Sequence, residues 1–149
     1  MRKINDILKQ CAVIEVIGDN DRLVSGLAFD SRKCTDGMAF FAIRGTQVDG
    51  HDFIDKVVEQ GTKVIVCEHI PSVMADDVTY YVVDDTAKSL GYAASEFYGR
   101  PSEKLRLVGV TGTNGKTTIA TLLYRLFFNA GYPCGLLSTI ENRINDIVI

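Results

Sequence analysis

Two hydrophobic periodicities alternate along the first hundred residues of this chain. Apolar runs bounded by turn residues predict strands at 12–17, 23–29, 38–43, 63–67 and 78–83. Between them, apolar residues spaced three and four apart predict helices near 4–11, 53–60 and 86–98. Alternation of strands and helices is typical of an α/β fold.

Residues with strong turn and capping preferences mark the ends of these helices. Gly61 readily takes the left-handed conformation that ends a helix. Asp84 or Asp85 is expected to cap the helix at 86–98, and Asp52 is expected to cap the helix that begins at Phe53. Turns and helix caps also explain the Asp76-Asp77 and Asp84-Asp85 pairs better than metal binding does, because adjacent residues seldom point at one ion without other ligands.

The pattern restarts after the turn at residues 99–102. It predicts a strand over 105–110, a glycine-rich turn, a helix over 116–130, a second parallel strand over 135–139 and a hairpin at Asn145-Asp146. The apolar stripe of that helix consists of Ile119, Leu122, Leu123, Leu126 and Phe127. We expect a small α/β domain over 1–101 and, over 102–149, the beginning of a Rossmann-like parallel-sheet domain, incomplete because such sheets need more strands and helices.

Composition and charge narrow the functional classes. The 16 basic and 19 acidic residues give a formal charge of −3, so the chain lacks the basic excess expected of a nucleic-acid-binding protein. No apolar run is long enough to cross a bilayer, and the first residues lack the apolar core of a signal peptide. The four cysteines form no C-x-x-C pair. We expect a cytoplasmic protein without a membrane or nucleic-acid partner.

The sharpest motif lies between the predicted strand at 105–110 and the helix at 116–130. It reads Gly112-Thr113-Asn114-Gly115-Lys116-Thr117-Thr118. Glycines allow backbone N–H groups to turn toward a phosphate, the helix N-terminus adds partial positive charge, and a lysine at the helix start reaches the β- and γ-phosphates. The motif predicts a nucleotide site, with the Thr117 hydroxyl available to Mg²⁺.

The motif departs from the generic phosphate loop at one position. The pattern G-x-x-x-x-G-K-[ST] requires glycine where this chain has Val110. Gly112 and Gly115 still provide two flexible points, so we interpret the loop as a shorter variant. The structural alternative is a glycine-rich turn with a solvated lysine.

These residues resemble the ATP loop of the Mur ligases and the related folylpolyglutamate synthetases. The resemblance implies an amide-forming reaction in which ATP phosphorylates a substrate carboxylate and an amine then attacks the acyl phosphate. It implies ATP binding by residues 112–118, a catalytic role for Lys116 and a magnesium ligand at Thr117. Phosphoryl transfer depends on positioning and charge neutralisation, which a loop, a lysine and Mg²⁺ supply.

The first predicted domain carries a second resemblance. The segments at 29–32, 37–45 and 49–54 are similar to the leading domain of two Mur ligases, which folylpolyglutamate synthetases lack. In both ligases this domain holds the uridine diphosphate end of a UDP-N-acetylmuramoyl peptide. The resemblance implies substrate contacts at Ser31, Phe29, Thr46, Gln47 and Val48.

Several of these residues also fit ordinary turns. Asp30-Ser31-Arg32 taken alone is typical of a strand end with an Asp-Ser turn and an Arg ion pair. The downstream phosphate loop favours the substrate-binding interpretation. We assign no catalytic role to His51, and His69 is expected to be a surface histidine.

The segments 109–118 and 45–51 look more like the Mur ligases that add the third amino acid than like those that add D-alanyl-D-alanine. The expected partners are UDP-N-acetylmuramoyl-L-alanyl-D-glutamate, ATP and either meso-diaminopimelate or L-lysine; the sequence leaves the amine and the oligomeric state open. Ligase activity is expected only in a longer chain.

A P-loop kinase or GTPase is disfavoured because over a hundred residues precede the loop. A binding module without catalysis stays open.

Overall fold

The computed structural model describes all 149 residues, which form two compact units, residues 1–104 and residues 105–149. The elements of the first unit are, in chain order, β1 (Arg2–Lys3), α1 (Ile4–Ile7), β2 (Val13–Ile17), β3 (Leu23–Val24), β4 (Gly26–Ala28), β5 (Met38–Phe41), α2 (Ile54–Glu59), β6 (Val64–Cys67), β7 (Thr79–Val83) and α3 (Thr86–Phe97). Short 3-10 helices lie at Gly50–Phe53 and Pro101–Lys104.

A five-stranded sheet organises the first unit, in the order β2-β7-β6-β5-β4. Strands β4 to β7 are parallel to their neighbours, and β2 closes one edge antiparallel to β7. The short β1 and β3 form a separate antiparallel pair. This mixed helix and sheet architecture confirms the predicted α/β class. The segments that follow β4, β5, β6 and β7 all leave the same edge of the sheet, which we term the carboxyl edge.

The central strands β5, β6 and β7 are buried on both faces, as parallel strands require, whereas the edge strand β2 is largely exposed. Successive residues of β5 and β6 alternate between two hydrophobic clusters, because strand side chains point to opposite faces. One face packs with α1 and α3 and includes Ile4, Ile7, Ala39, Phe41, Val64, Val66, Tyr81, Val83 and Ala93. The other packs with α2 and includes Phe40, Ala42, Ile54, Val57, Ile65, Cys67 and Tyr80. No helix of the chain is long and apolar enough to span a membrane.

Helix α3 begins at a side-chain cap. The Asp85 carboxylate accepts a hydrogen bond from the Lys88 N–H at 2.8 Å, which confirms one of the two predicted caps. We expect Asp85→Ala to lower the free energy of unfolding by about 1 kcal/mol, because the first helical turn loses an acceptor. Urea denaturation checks this, with Asp84→Ala as the matched control; equal effects from both substitutions would contradict the assigned cap.

The second unit contains one helix and a small antiparallel meander. Its elements are α4 (Lys116–Asn129), β8 (Gly135–Leu137), β9 (Asn142–Ile144) and β10 (Ile147–Val148), with strand order β10-β9-β8. Asn145 turns the β9–β10 hairpin with φ 49°, a left-handed conformation that asparagine tolerates well. The predicted hairpin at Asn145-Asp146 is confirmed.

Three predictions for the second unit were wrong. Residues 105–110 form no strand and are largely exposed, since no other segment of the unit pairs with them. Strand β8 pairs antiparallel with β9, not in a parallel arrangement. The predicted apolar stripe of α4 is not a buried face, because the meander covers only part of the helix and Tyr124 is its one buried residue.

Two local predictions for the first unit also need correction. The strand predicted over 23–29 is interrupted at Ser25, whose N–H and hydroxyl both donate to the Gly37 carbonyl. The predicted cap at Asp52 is wrong, because α2 begins without a side-chain cap. A 3-10 helix precedes it, and Asp49 caps that turn by accepting from the His51 N–H. Pairing with Gly37 causes the break at Ser25, and the extra 3-10 turn before α2 moves the side-chain cap to Asp49.

Candidate functional site

The glycine-rich loop of the second unit leads directly into α4. Gly115, the residue before the helix, has φ 76°, and Gly112 has φ 144°. Side chains are strained in this region of conformational space, so both turns require glycine. A Cβ at Gly115 would meet no heavy atom within 4 Å, so backbone conformation and not crowding explains the residue.

The N-terminus of α4 is left without a side-chain cap. The first helical hydrogen bond runs from the Ile119 N–H to the Gly115 carbonyl, at 2.9 Å. The N–H groups of Lys116, Thr117 and Thr118 therefore have no partner within the helix and lie at its positive end. An uncapped helix start that exposes N–H donors is a suitable binding site for a phosphate.

Lys116 places its ammonium group over the same loop. Its Nζ donates to the carbonyl oxygen of Gly112 and, at 3.3 Å, to that of Thr113. Because the side chain is exposed, exchanging these carbonyl partners for phosphate oxygens requires only rotation of a flexible side chain. The loop therefore combines backbone donors with a mobile cation.

The donor set also bears on the magnesium prediction. Thr117 is partly exposed in the first turn of α4 and offers a neutral hydroxyl. No group of three or more histidine, cysteine, aspartate or glutamate side chains is arranged to hold a metal ion. Mg²⁺ commonly keeps several waters and binds through one or two protein oxygens together with substrate phosphates. The residues present fit an ion carried by a nucleotide and not an independent metal centre.

In the first unit, the predicted substrate residues follow two adjacent parallel strands. Phe29 and Ser31 come directly after β4, and the loop 44–49 follows β5. Both segments therefore lie at the carboxyl edge, where ligands of open α/β sheets commonly bind. The topology brings these two segments to one side of the sheet.

A tight turn fixes Ser31 after β4. Arg32 donates from its backbone N–H and its guanidinium to the Asp30 carboxylate, at 2.8 to 3.0 Å, and the guanidinium lowers the pKa of Asp30 to about 2. Ser31 is only 8% exposed and its hydroxyl takes no part in these hydrogen bonds, whereas Phe29 is 64% exposed. The Asp-Ser turn and the Arg ion pair are both present, and they leave an apolar ring and a hydroxyl group at the carboxyl edge.

The loop after β5 is a narrow hairpin with an exposed tip. Gly45 N–H donates to the Val48 carbonyl at 2.9 Å, and Arg44 and Asp49 form an antiparallel bridge at the base. The tip consists of Thr46, Gln47 and Val48, all of them exposed. Amide, hydroxyl and backbone donors on such a tip can bond to uracil and phosphate oxygens.

The base of this loop belongs to a hydrogen-bonded network that sequence analysis missed. The Asp49 carboxylate accepts from the backbone N–H and the imidazole of His51, and these bonds lower its pKa to about 2. His51 in turn contacts Glu68, which follows β6, and Glu68 contacts Thr86, which begins α3. The available signal was positional: Glu68 and Thr86 closely follow predicted strands, and Asp49 and His51 end the polar loop after another.

The remaining polar candidates have structural roles. His69 is exposed, as predicted, and its ring stacks on His51 with centroids 4.0 Å apart. Asp77 pairs with Lys63, and this ion pair lowers the pKa of Asp77. The ion pair of Asp77 and the helix cap at Asp85 give one residue of each acidic pair, Asp76-Asp77 and Asp84-Asp85, a structural role.

Comparison with known proteins gives matches in both units. Residues 23–98 match the Mur ligase family, catalytic domain, and residues 110–148 match the Mur ligase middle domain. The chain is 49% identical over 147 residues to a UDP-N-acetylmuramoyl-L-alanyl-D-glutamate–2,6-diaminopimelate ligase of Phocaeicola vulgatus. This match covers 99% of the chain and 30% of the relative, so the chain spans about a third of that protein's length.

Solved structures agree with this assignment. A UDP-N-acetylmuramoyl-L-alanyl-D-glutamate–2,6-diaminopimelate ligase superposes with a TM-score of 0.71 over 99% of this chain and 29% of its own, at 23% identity. The MurF ligase of Thermotoga maritima, solved in complex with ADP, gives a TM-score of 0.51 at 32% identity, over 72% of this chain and 23% of its own. From the family match across residues 23–98, supported by these folds, we conclude that the chain belongs to the Mur ligase family.

Proposed function

We propose that this chain supplies the UDP-muramoyl-peptide site and the ATP-phosphate site of an ATP-dependent ligase that adds the third amino acid to UDP-N-acetylmuramoyl-L-alanyl-D-glutamate. The observation that carries the proposal is the 49% identity, over nearly the whole chain, to a relative named for that reaction. The glycine loop before α4 and the carboxyl edge of the first unit supply groups of the required chemistry. The proposed domains are 1–101 for the UDP-muramoyl substrate and 102–149 for the beginning of the ATP-binding domain.

The second unit is proposed to hold the phosphates of ATP and their Mg²⁺. In the proposed reaction the glutamyl carboxylate accepts the γ-phosphoryl group, and the amine then displaces phosphate from the acyl phosphate. The N–H groups at the start of α4, with residues 112–118, bind phosphate oxygens, and the Lys116 ammonium neutralises charge on the transferring group. The Thr117 hydroxyl is the one metal ligand assigned to this chain.

The first unit is proposed to hold the uridine diphosphate end of the peptide substrate. Ser31 and Phe29 after β4 and the loop tip at 46–48 after β5 are the proposed contacts. A largely buried hydroxyl, an exposed aromatic ring and a polar tip together match a ligand that combines a heterocycle with a diphosphate.

Ser31→Ala is expected to raise the KM for the UDP-sugar about 5- to 30-fold, because a hydrogen bond worth about 1 to 2 kcal/mol is lost. The KM for ATP is expected to stay unchanged, since the ATP site lies in the other unit. Steady-state kinetics of the complete ligase that carries this chain checks both values. Ser25→Ala is the matched control, because Ser25 lies at the opposite end of β4; a parallel rise in the ATP KM of Ser31→Ala would contradict a selective contact.

The amine proposed for the reaction is meso-diaminopimelate, the amino acid named for the Phocaeicola vulgatus relative. L-lysine is the competing amine. Because residues 1–149 span 30% of that relative, we expect them to show no ligase turnover by themselves.

One observation favours a second candidate. The 32% identity to a MurF ligase keeps open the addition of D-alanyl-D-alanine to the UDP-muramoyl tripeptide. The two reactions share the phosphate-loop chemistry and differ in peptide substrate and amine. Turnover with the tripeptide and D-alanyl-D-alanine, and none with the dipeptide and diaminopimelate, would select the second candidate.

A further inference from the structure

His51 is almost completely buried at the base of the loop 44–49, with a side-chain exposure of 4%. One ring nitrogen, Nδ1, lies 2.6 Å from Oδ1 of Asp49 at the loop base. The other, Nε2, lies 2.9 Å from the backbone nitrogen of Glu68, the residue that follows β6. The imidazole therefore bridges the loop after β5 and the end of the neighbouring strand.

The two partners fix the protonation of the ring. The Glu68 N–H is a donor, so Nε2 must accept and carries no proton. The proton of the neutral imidazole is then on Nδ1, where it donates to the Asp49 carboxylate. Both ring nitrogens are used, and His69 stacked on the ring covers one face.

The hydrogen bond from the Glu68 N–H to Nε2 depends on the imidazole alone, because no backbone group can replace it. Asp49 keeps a hydrogen bond from the His51 backbone N–H, at 2.9 Å, whatever the side chain at position 51. Gly50 N–H also donates to the Ile43 carbonyl at 2.8 Å, but this ties the loop base only to the residue just before the loop. Between the loop and β6, Arg44 adds only a 3.9 Å approach to the Glu68 carboxylate.

Glu68 is itself held in place. Its carboxylate accepts from the Thr86 N–H at 3.2 Å and lies 3.1 Å from the Thr86 hydroxyl, which also lies 3.0 Å from the Ala42 carbonyl. Through these contacts the end of β6 is tied to the start of α3 and to the end of β5. A group bonded to Glu68 is therefore bonded to a fixed point of the carboxyl edge.

We infer that His51 is a positioning residue for the loop 44–49. The hydrogen bond from the Glu68 backbone N–H to its Nε2 holds the tip 46–48 at a set distance from Ser31. This inference rests on the proposed UDP site. It does not make His51 a contact of the substrate, since its ring is enclosed by protein groups. The buried histidine orders the exposed loop before the ligand binds, so less conformational entropy is lost on binding.

The test is to titrate the complete ligase that carries this chain with UDP and, separately, with ATP, by isothermal calorimetry. For His51→Ala we expect about a tenfold rise in the Kd for UDP, the size of one buried hydrogen bond, and no change in the Kd for ATP. His51→Gln places an amide oxygen near the Nε2 position and is expected to restore the Kd for UDP to within about twofold. His51→Asn reaches only Asp49 and is expected to bind as weakly as His51→Ala.

Thr62→Val is the control for a general loss of stability. Thr62 is buried before the opposite end of β6, where its hydroxyl pairs with the Cys34 thiol at 3.1 Å. Thermal unfolding gives the Tm of every variant, so that losses of stability can be compared with losses of UDP affinity. If Thr62→Val lowers Tm as much as His51→Ala and weakens UDP binding equally, the positioning role is overturned.

The remaining outcomes separate this inference from the proposed function. If the wild-type ligase binds UDP and the His51→Ala ligase binds it equally well, the positioning role is wrong and the UDP site stands. If His51→Gln binds as weakly as His51→Ala, the Glu68 bond is not what orders the loop, which also overturns the inference. If the wild-type ligase does not bind UDP, the proposed UDP site fails and the inference fails with it.

Discussion

Lys116→Ala is expected to lower the kcat of the ligase reaction by about a thousandfold or more, which corresponds to about 4 kcal/mol of lost transition-state stabilisation. The ammonium group lies over the glycine loop, where it contacts the carbonyl oxygens of Gly112 and Thr113. In a phosphoryl transfer without a protein nucleophile, a cation at this point neutralises charge that develops on the transferring group. The KM for the UDP-sugar is expected to stay unchanged.

The measurement is ADP release by the complete ligase, with the variant compared to Arg125→Ala. Arg125 is an exposed cation on the same helix, so its removal changes the net charge equally without touching the loop. Thermal unfolding adds a second readout, since stabilisation of the wild-type protein by ATP is expected to disappear in Lys116→Ala. A kcat within a few-fold of wild type would contradict the assigned role. If the protein binds UDP but ATP changes neither its thermal stability nor any activity, the chain is a binding module without catalysis.

Gly50→Ala is expected to have the largest effect on the first unit. A Cβ at Gly50 would lie 2.6 Å from both the nitrogen and the carbonyl oxygen of Ile43, and both are backbone atoms that cannot move aside cheaply. Relief of that overlap must open the base of the loop 44–49, break the Gly50 to Ile43 hydrogen bond, or shift the end of β5. We expect a loss of about 2 to 3 kcal/mol in the free energy of unfolding, typical of overpacking.

Gly91→Ala is the matched control. Gly91 lies within α3, and a Cβ at this position would meet no heavy atom within 4 Å, so alanine should fit there and raise stability by about 0.5 to 1 kcal/mol. Urea denaturation compares the two variants, and UDP titration adds a functional readout, because Gly50→Ala is also expected to weaken UDP binding. An alanine at position 50 that is neutral for both stability and UDP affinity would contradict the described loop geometry.

Local sequence signals predicted most of the first unit. The apolar runs that form β6 and β7 were recognisable because both faces of these strands are buried, which makes the runs continuous. The cap at Asp85 and the hairpin at Asn145 were recognisable because they depend on side chains only a few residues away. Elements specified by near neighbours can be predicted from one sequence.

Features that depend on distant partners were predicted less well. The segment 105–110 has the composition of a buried strand, yet composition alone does not supply a neighbouring strand to pair with it. The break at Ser25 follows from bonds to Gly37, twelve residues away. The stripe on α4 was predicted as a core face, but periodicity indicates an apolar face without indicating what covers it.

The candidate sites show the same division. The glycine loop before α4 could be found from its motif, because the chemistry lies within consecutive residues. The network of Asp49, His51 and Glu68 could not, because it forms only when β5 and β6 are neighbours in the sheet. The assignments of Ser31, Phe29 and the loop tip as substrate contacts stay predictions that the proposed kinetics and titrations address.

The most direct test of the proposed function is ADP release by the complete ligase given ATP, Mg²⁺, UDP-N-acetylmuramoyl-L-alanyl-D-glutamate and either meso-diaminopimelate or L-lysine. We predict turnover with the dipeptide substrate, dependent on the amine, with meso-diaminopimelate as the better amine. Turnover restricted to the UDP-muramoyl tripeptide and D-alanyl-D-alanine would contradict the proposed reaction, and absence of amine-dependent ADP release with either pair would contradict the assignment of a ligase.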